Sequence, residues 1–189
     1  MLTRVTMWNK MVSGGSKWGL GGDARCSRFI STLIPSLEGY IQRPRPMFIG
    51  EYKHTIDDKG RLAIPVKFRG DLARGAVVTR GLDASLFLFP KEEWDKLASK
   101  LAALPLGQSN SRAFSRLMLA GAMDVDVDKQ GRLVLPEYLR EYAGIKKSAV
   151  IAGLYTRLEI WDGDKWEAYK KQTESDVGSI AEQLGGLGI

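Results

Sequence analysis

From Phe48 the chain alternates, with Phe48, Gly50, Tyr52, His54 and Ile56 falling on one side and Ile49, Glu51, Lys53, Thr55 and Asp57 on the other. A period of two is the mark of a half-buried strand. The same period returns with Met123, Val125 and Val127 inward while Asp124, Asp126 and Asp128 point outward. Each segment then meets a glycine, Gly60 or Gly131, where a left-handed backbone is unstrained, and resumes as Leu62-Ala63-Ile64 or Leu133-Val134-Leu135. Two β-hairpins are predicted. Pro65 and Pro136 close them and suit the first turn of a helix, whose missing donor would be unpaired anyway. Short helices are expected over 66–73, burying Phe68 and Leu72, and over 137–143, burying Tyr138, Leu139 and Tyr142, with Gly75 and Gly144 as their stops.

Further along, strand pairs are expected at 76–79 with 85–89 and at 149–152 with 157–161. A helix over about 91–104 places Trp94, Leu97, Leu101 and Leu104 on one face and is broken by Pro105-Leu106-Gly107. Another near 111–120, capped by Asn110, carries Phe114, Leu117 and Met118. A last helix covers about 163–172, and the glycine-rich end should fray from Gly178.

These elements occur twice. Asp57-Asp58-Lys59-Gly60-Arg61-Leu62-Ala63-Ile64-Pro65 returns as Asp128-Lys129-Gln130-Gly131-Arg132-Leu133-Val134-Leu135-Pro136, every matched position 71 residues on. Gly81-Leu82 and Leu86 match Gly153-Leu154 and Leu158 at an offset of 72, as Trp94 matches Trp166, so one residue has been inserted between Pro136 and Gly153. The chain is an internal duplication.

Composition adds limits. A chain of 189 residues, 44% apolar and 26% charged, is ordinary for a soluble globular protein, and no apolar run approaches the roughly 20 residues of a membrane span. The lone Cys26 cannot form an internal disulfide and fits a reducing compartment. The net charge of +6 suggests nucleic acid, but residues 1–46 hold 7 Lys/Arg against 2 Asp/Glu, and residues 47–189 hold 21 against 20. The duplicated region is near neutral, so its electrostatics rest on local clustering. Residues 1–46, with Gly14-Gly15, Gly21-Gly22 and Arg43-Pro44-Arg45-Pro46, have no sustained period and read as disordered. They fit a transit peptide, a phosphate-gripping arm, or sequence upstream of a true start at Met47; the abrupt onset of pattern at Met47 favours the last.

Catalytic and metal chemistry find little footing. Asp124-x-Asp126-x-Asp128 opens like a calcium loop, but the required glycine and glutamate positions are Lys129 and Leu135. His54, the only histidine, lies on an apolar strand face and reads as a packing residue; no nucleophile motif, phosphate loop or Cys/His spacing is present. No cofactor or small-molecule substrate is expected. The two Asp-x-x-x-Arg turns remain. One such turn is commonly a hairpin staple in which the carboxylate holds turn amides or the arginine. Two equivalent basic turns related by duplication suit a repeated target.

Phe48-x-Gly50-Glu51-Tyr52-x-His54-x-x-Asp57-x-Lys59-Gly60-Arg61-x-x-x-Pro65, followed by the second Asp128-x-x-x-Arg132, resembles the MraZ family of bacterial transcription regulators, relatives of the AbrB-type swapped-hairpin DNA-binding proteins. The likeness covers residues 47 to about 172. It implies an α+β, mainly β fold, a duplicated swapped-hairpin or double-split β-barrel with short flanking helices: a first AbrB-type repeat at 51–98, a helical connector and the first strand of the second repeat at 99–126, the second repeat at 127–170, and a flexible tail at 173–189. It further implies a ring-shaped homo-oligomer, cytoplasmic and nucleoid-associated, that binds short double-stranded promoter repeats upstream of the division and cell-wall gene cluster, its own gene included. Carried onto this chain, the DNA-binding positions are Asp57, Lys59, Gly60 and Arg61 in the first loop and Asp128, Gly131 and Arg132 in the second. The lysine of the first loop aligns with Gln130, and Lys129 stands instead opposite Asp58, so the second loop is expected to meet DNA differently. The reading from another class is a protein-interaction scaffold or antitoxin-like module, with the helices around Trp94 and Trp166 offering an apolar groove.

Overall fold

The computed structural model describes residues 47–186; the readings of residues 1–46 lie outside them. Strands β1 (Phe48–Thr55) and β2 (Arg61–Ala63), helix α1 (Val66–Leu72), strands β3 (Ala76–Arg80) and β4 (Leu86–Pro90) and helix α2 (Lys91–Ala102) form the first copy. Helix α3 (Ser109–Leu119) leads to β5 (Met123–Val125), β6 (Arg132–Val134), α4 (Glu137–Ala143), β7 (Ser148–Tyr155), β8 (Arg157–Asp162) and α5 (Gly163–Gly185). The fold is α+β, mainly β.

The pairing is exchanged between copies. The larger sheet is antiparallel in the order β1-β7-β8-β4-β3-β5, so β1 of the first copy pairs with β7 of the second, and β5 of the second pairs with β3 of the first. The order reads the same from either end once copies are swapped, and its centre lies between β4 and β8. The expected hairpins keep their tips, but only an isolated Ile56–Leu62 bridge joins the arms of the first; β2 pairs with β6 instead.

Register refines the sequence alignment. Ala76 opposite Val125 is matched by Ala149 opposite His54, an offset of 73 between β3 and β7, whereas β4 and β8 are offset by 72. Two residues are therefore added between α4 and β7, and one is lost again in the tighter β7–β8 turn, where Tyr155 takes φ 60°.

One core joins the copies: Phe48, Leu62, Ile64 and Phe68 pack with Leu133, Leu135, Leu139 and Ile151, all essentially inaccessible. A satellite cluster of Val77, Phe87, Phe89, Trp94, Leu101 and Met118 lies under α2 and α3. In the second copy Trp161, Trp166 and Tyr169 form an aromatic cluster with ring centroids 5.1–6.1 Å apart. Glu159, facing Phe87 across the β4–β8 pair, is held there by Arg157 at 2.9 Å and Trp161 Nε1 at 3.2 Å.

Several expectations shift. Met123 is 44% exposed, because it sits at the outer end of a short edge strand. Asn110 lies inside α3; the cap position is Gln108, with no side-chain cap bond. Pro65 and Pro136 are themselves the cap residues of α1 and α4. Gly144 ends α4 in the left-handed region, but α1 ends at Ala73 with an ordinary helical backbone, two residues before Gly75. Helix α5 runs past 172 to Gly185, supported at its start by the Asp162 carboxylate on the amides of Asp164 and Lys165.

Candidate nucleic-acid interface

The β2–β6 ribbon places Arg61 opposite Val134, Leu62 opposite Leu133 and Ala63 opposite Arg132. Opposed residues in an antiparallel pair share a face, and neighbours along a strand alternate. Leu62 and Leu133 therefore point into the core, where both are buried, and Arg61, Ala63, Arg132 and Val134 form the outer face. Arg61 and Arg132 are diagonal neighbours, a relation that sets Cα atoms roughly 7–8 Å apart. The duplicated turns thus deliver two guanidinium groups to one small surface.

Each arginine springs from a pinned turn. Asp57 Oδ1 accepts from the amides of Lys59 at 3.0 Å and Arg61 at 2.9 Å, and Oδ2 accepts from Arg61 Nε at 2.6 Å. Asp128 repeats this with the amides of Gln130 and Arg132, both at 2.9 Å, and with Arg132 Nε at 3.0 Å and an Nη at 2.9 Å. Gly60 and Gly131 close the turns at φ 73° and 80° by donating to the carbonyls of Asp57 and Asp128, each at 2.8 Å. The backbone amide of Arg61 foremost, opposed in part by desolvation and aided by its guanidinium, holds the Asp57 carboxyl below the usual range; the amide of Arg132 does the same for Asp128. Both pairs are partly exposed, so the attraction between the charges itself adds little stability beyond the carboxylates' bonds to the turn amides; what the pairs fix is direction. In Arg61 only Nε is engaged among the described residues, leaving the terminal fork open to a ligand.

The copies also brace each other's turns. Ile64 donates its amide to the Gly131 carbonyl at 2.9 Å, and Leu135 donates to the Gly60 carbonyl at 2.8 Å. From α1, Arg69 Nε donates to the Ile64 carbonyl at 2.8 Å and its guanidinium lies over Gly131, so close that an added Cβ would fall 2.0 Å from Cζ. From α4, Arg140 Nε donates to the Leu135 carbonyl at 3.2 Å and lies over Gly60. Arg69 and Arg140, themselves 71 residues apart, are absent from the residues singled out by sequence. Their signal in the sequence is the shared offset, outside the turn motif.

Of the sequence-derived positions, Asp57, Gly60 and Arg61 gather at one end of the ribbon and Asp128, Gly131 and Arg132 at the other. Lys59 and Lys129 are exposed on the tips, without an ion pair among the described residues. An open groove of about 490 Å³ runs beside the first loop, lined by Asp57, Asp58, Arg61, Ala63, Arg132 and Lys147. Asp124 is engaged by Lys91 at 2.6 Å. His54 is half-buried on β1, and burial first, then Arg69, pushes its pKa down. Trp94 is only 7% exposed against Phe89, whereas Trp166 is half-buried and packed on Trp161. No helix among the described residues is long and apolar enough to cross a membrane.

Comparison with known proteins agrees with the duplication. The family model described as "MraZ protein, putative antitoxin-like" matches residues 47–117 and again 118–184. The protein named transcriptional regulator MraZ of Acetivibrio thermocellus is 49% identical over 143 residues, spanning 76% of this chain and 100% of the relative. Its namesake in Oenococcus oeni is 51% identical over 138 residues, with 73% and 96% covered, and that of Herpetosiphon aurantiacus is 48% identical over 143 residues, with 76% and 100% covered. A twice-matched profile over the duplicated region, and relatives similar along nearly their whole length, place this chain in the MraZ family.

Proposed function

We propose that the protein is a sequence-specific DNA-binding transcription regulator that uses the outer face of the β2–β6 ribbon as its reading surface. The relatives named as transcriptional regulators support the class of activity. The single observation that carries the mechanism is that Arg61 and Arg132 leave the same face of a two-stranded ribbon from turns whose carboxylates aim them. The major groove of B-form DNA admits a two-stranded ribbon, and a guanidinium fork matches the acceptor pair of guanine or a phosphate. Arg61 and Arg132 contact base edges or phosphates, Asp57 and Asp128 orient them, the backbone at Gly60 and Gly131 allows close approach, and Lys59 and Lys129 meet phosphates.

The near-neutral duplicated region holds DNA weakly by itself. A ring of protomers engaging short repeats in the promoter of the division and cell-wall gene cluster multiplies that affinity through effective concentration. In this reading the protein works in the cytoplasm at the nucleoid, on double-stranded DNA and on copies of itself, with no enzymatic step.

The test is Arg61→Ala in a gel-shift assay on the DNA upstream of the chain's own gene, beside circular dichroism and native mass spectrometry. One bidentate contact is worth about 1–3 kcal/mol, so binding falls roughly 5- to 150-fold for each engaged protomer, while helicity and protomer number stay the same. Normal binding by this variant would reject Arg61 as the reader; unfolding would make the turn a structural staple. Pull-down from lysate with and without nuclease separates a regulator from an interaction scaffold, since a scaffold keeps its partner after DNA is destroyed.

A further inference from the structure

We infer that Lys147 is a phosphate-contacting residue of the first loop, supplying from the α4–β7 connection a cation that offsets the loop's extra carboxylate. This rests on the DNA-binding reading of the ribbon and adds to it a residue outside both turns.

The argument starts with charge. Residues 57–61 carry two carboxylates and two cations, whereas residues 128–132 carry one carboxylate and two cations, because Asp58 and Lys59 stand where the second loop has Lys129 and Gln130. Asp58 is exposed at the tip, where it would face a phosphate with the wrong sign. Without compensation the two ends of the ribbon would meet the DNA backbone unequally.

The fold places one more cation at the deficient end. The Ile56 amide donates to the Lys147 carbonyl at 2.8 Å, which fixes Lys147 at the root of the first loop just before β7. Its side chain is exposed and lines the same groove as Asp58, Arg61 and Arg132. No carboxylate pairs with it among the described residues. By strand register its counterpart in the other copy is Arg74, 73 residues earlier, and that guanidinium is engaged by Glu92 at 3.0 Å. The pseudo-symmetry is thus broken in a consistent direction: the end with Asp58 has an unpaired lysine beside it, and the end with Lys129 has its equivalent cation held by α2. Counting Lys147 with the first loop, both ends carry the same net charge.

A phosphate contact leaves a distinct signature, because neutralising one phosphate of duplex DNA contributes about −0.9 to the slope of log affinity against log salt, whatever the sequence. The experiment measures that slope by fluorescence anisotropy for the full chain, on a labelled duplex from upstream of its own gene and on a scrambled duplex of equal length. Lys147→Gln is expected to make the slope shallower by about 0.9 for each engaged protomer and to weaken both duplexes by the same factor. Lys147→Arg is expected to restore the slope, and Lys171→Gln, on the solvated side of α5, to leave it alone. An unchanged slope for Lys147→Gln, with wild-type binding intact, overturns the assignment. A loss confined to the promoter duplex also overturns it, since that would make Lys147 a base reader. Wild-type chain that binds neither duplex would instead overturn the DNA-binding reading beneath it.

Discussion

At Gly60 and Gly131 the backbone sits where a Cβ is disfavoured by about 1–2 kcal/mol, and the space above each glycine is filled by the other copy. The neighbours differ. A methyl at Gly60 would meet the Leu135 carbonyl at 3.0 Å, while one at Gly131 would drive into the Arg69 guanidinium. Gly131→Ala must therefore dislodge Arg69 from the Ile64 carbonyl as well as strain the turn. Both variants are expected to lower Tm by several degrees in thermal melts followed by circular dichroism, Gly131→Ala by more. The turn carboxylates set an acid limit. Asp57 and Asp128 have folded pKa values below their unfolded ones, so their stabilisation is complete above the ordinary carboxylate pKa near 3.8 and is lost as pH falls through the lower folded values. His54 adds a second limb with the same sign: its depressed folded pKa means that the unfolded chain binds the proton first, so stability declines as pH drops below about 6.5. Urea midpoints measured from pH 8 to 3 should fall in these two steps. His54→Gln should remove the upper step, and Asp57→Asn with Asp128→Asn should flatten the lower.

At the scale of elements, what the sequence made legible follows from how local each cause is. Alternation at 48–56, glycine at the turns and proline ahead of α1 and α4 act within a few residues, and the corresponding strands, turns and helices stand within a residue or two of where they were expected. The exchange of β2 and β6 between copies depends on contacts about 70 residues apart, which hydrophobic pattern alone does not encode; it entered only through the family resemblance. Arg69 and Arg140 have only their shared offset as a signal, for a related reason: on a short helix each looks like a solvated charge, and the turn it covers belongs to the other half of the chain. Helix α5 outruns the expected 163–172 and continues through Gly178, where the glycine-rich sequence predicts fraying. One exposed glycine inside a helix costs only about 1 kcal/mol relative to alanine, less than neighbouring good helix formers recover. An added Cβ at Gly178 would meet nothing within 4 Å. Gly178→Ala is accordingly expected to stabilise α5 by about that amount, read as increased ellipticity at 222 nm on warming, with DNA binding unaffected.

For the whole molecule, the exchange of strands makes the two copies a single folding unit. Residues 47–117 alone would hold β1 without β7, β2 without β6, β3 without β5 and β4 without β8, so every strand would lose a neighbour, and only β3 and β4 would keep one. Leu62, Phe48 and Leu88, inaccessible in the full chain, would then face water. An element of about 70 residues with half its core missing falls below what hydrophobic burial can hold against chain entropy. Two such fragments, however, can rebuild the arrangement, because the pseudo-two-fold that relates the copies in one chain becomes a true two-fold between identical chains. The fragment 47–117 should therefore be unfolded when dilute and gain sheet and helix signal together as concentration rises, with a Tm that depends on concentration and a dimer mass by sedimentation. The covalent link removes that concentration dependence, so the full chain should melt at a Tm independent of dilution wherever its oligomeric state is unchanged. A fragment that folded as a monomer at every concentration would show that each copy carries its own complete core, and the ribbon that brings Arg61 beside Arg132 would be a docking of two domains rather than a consequence of how either one folds.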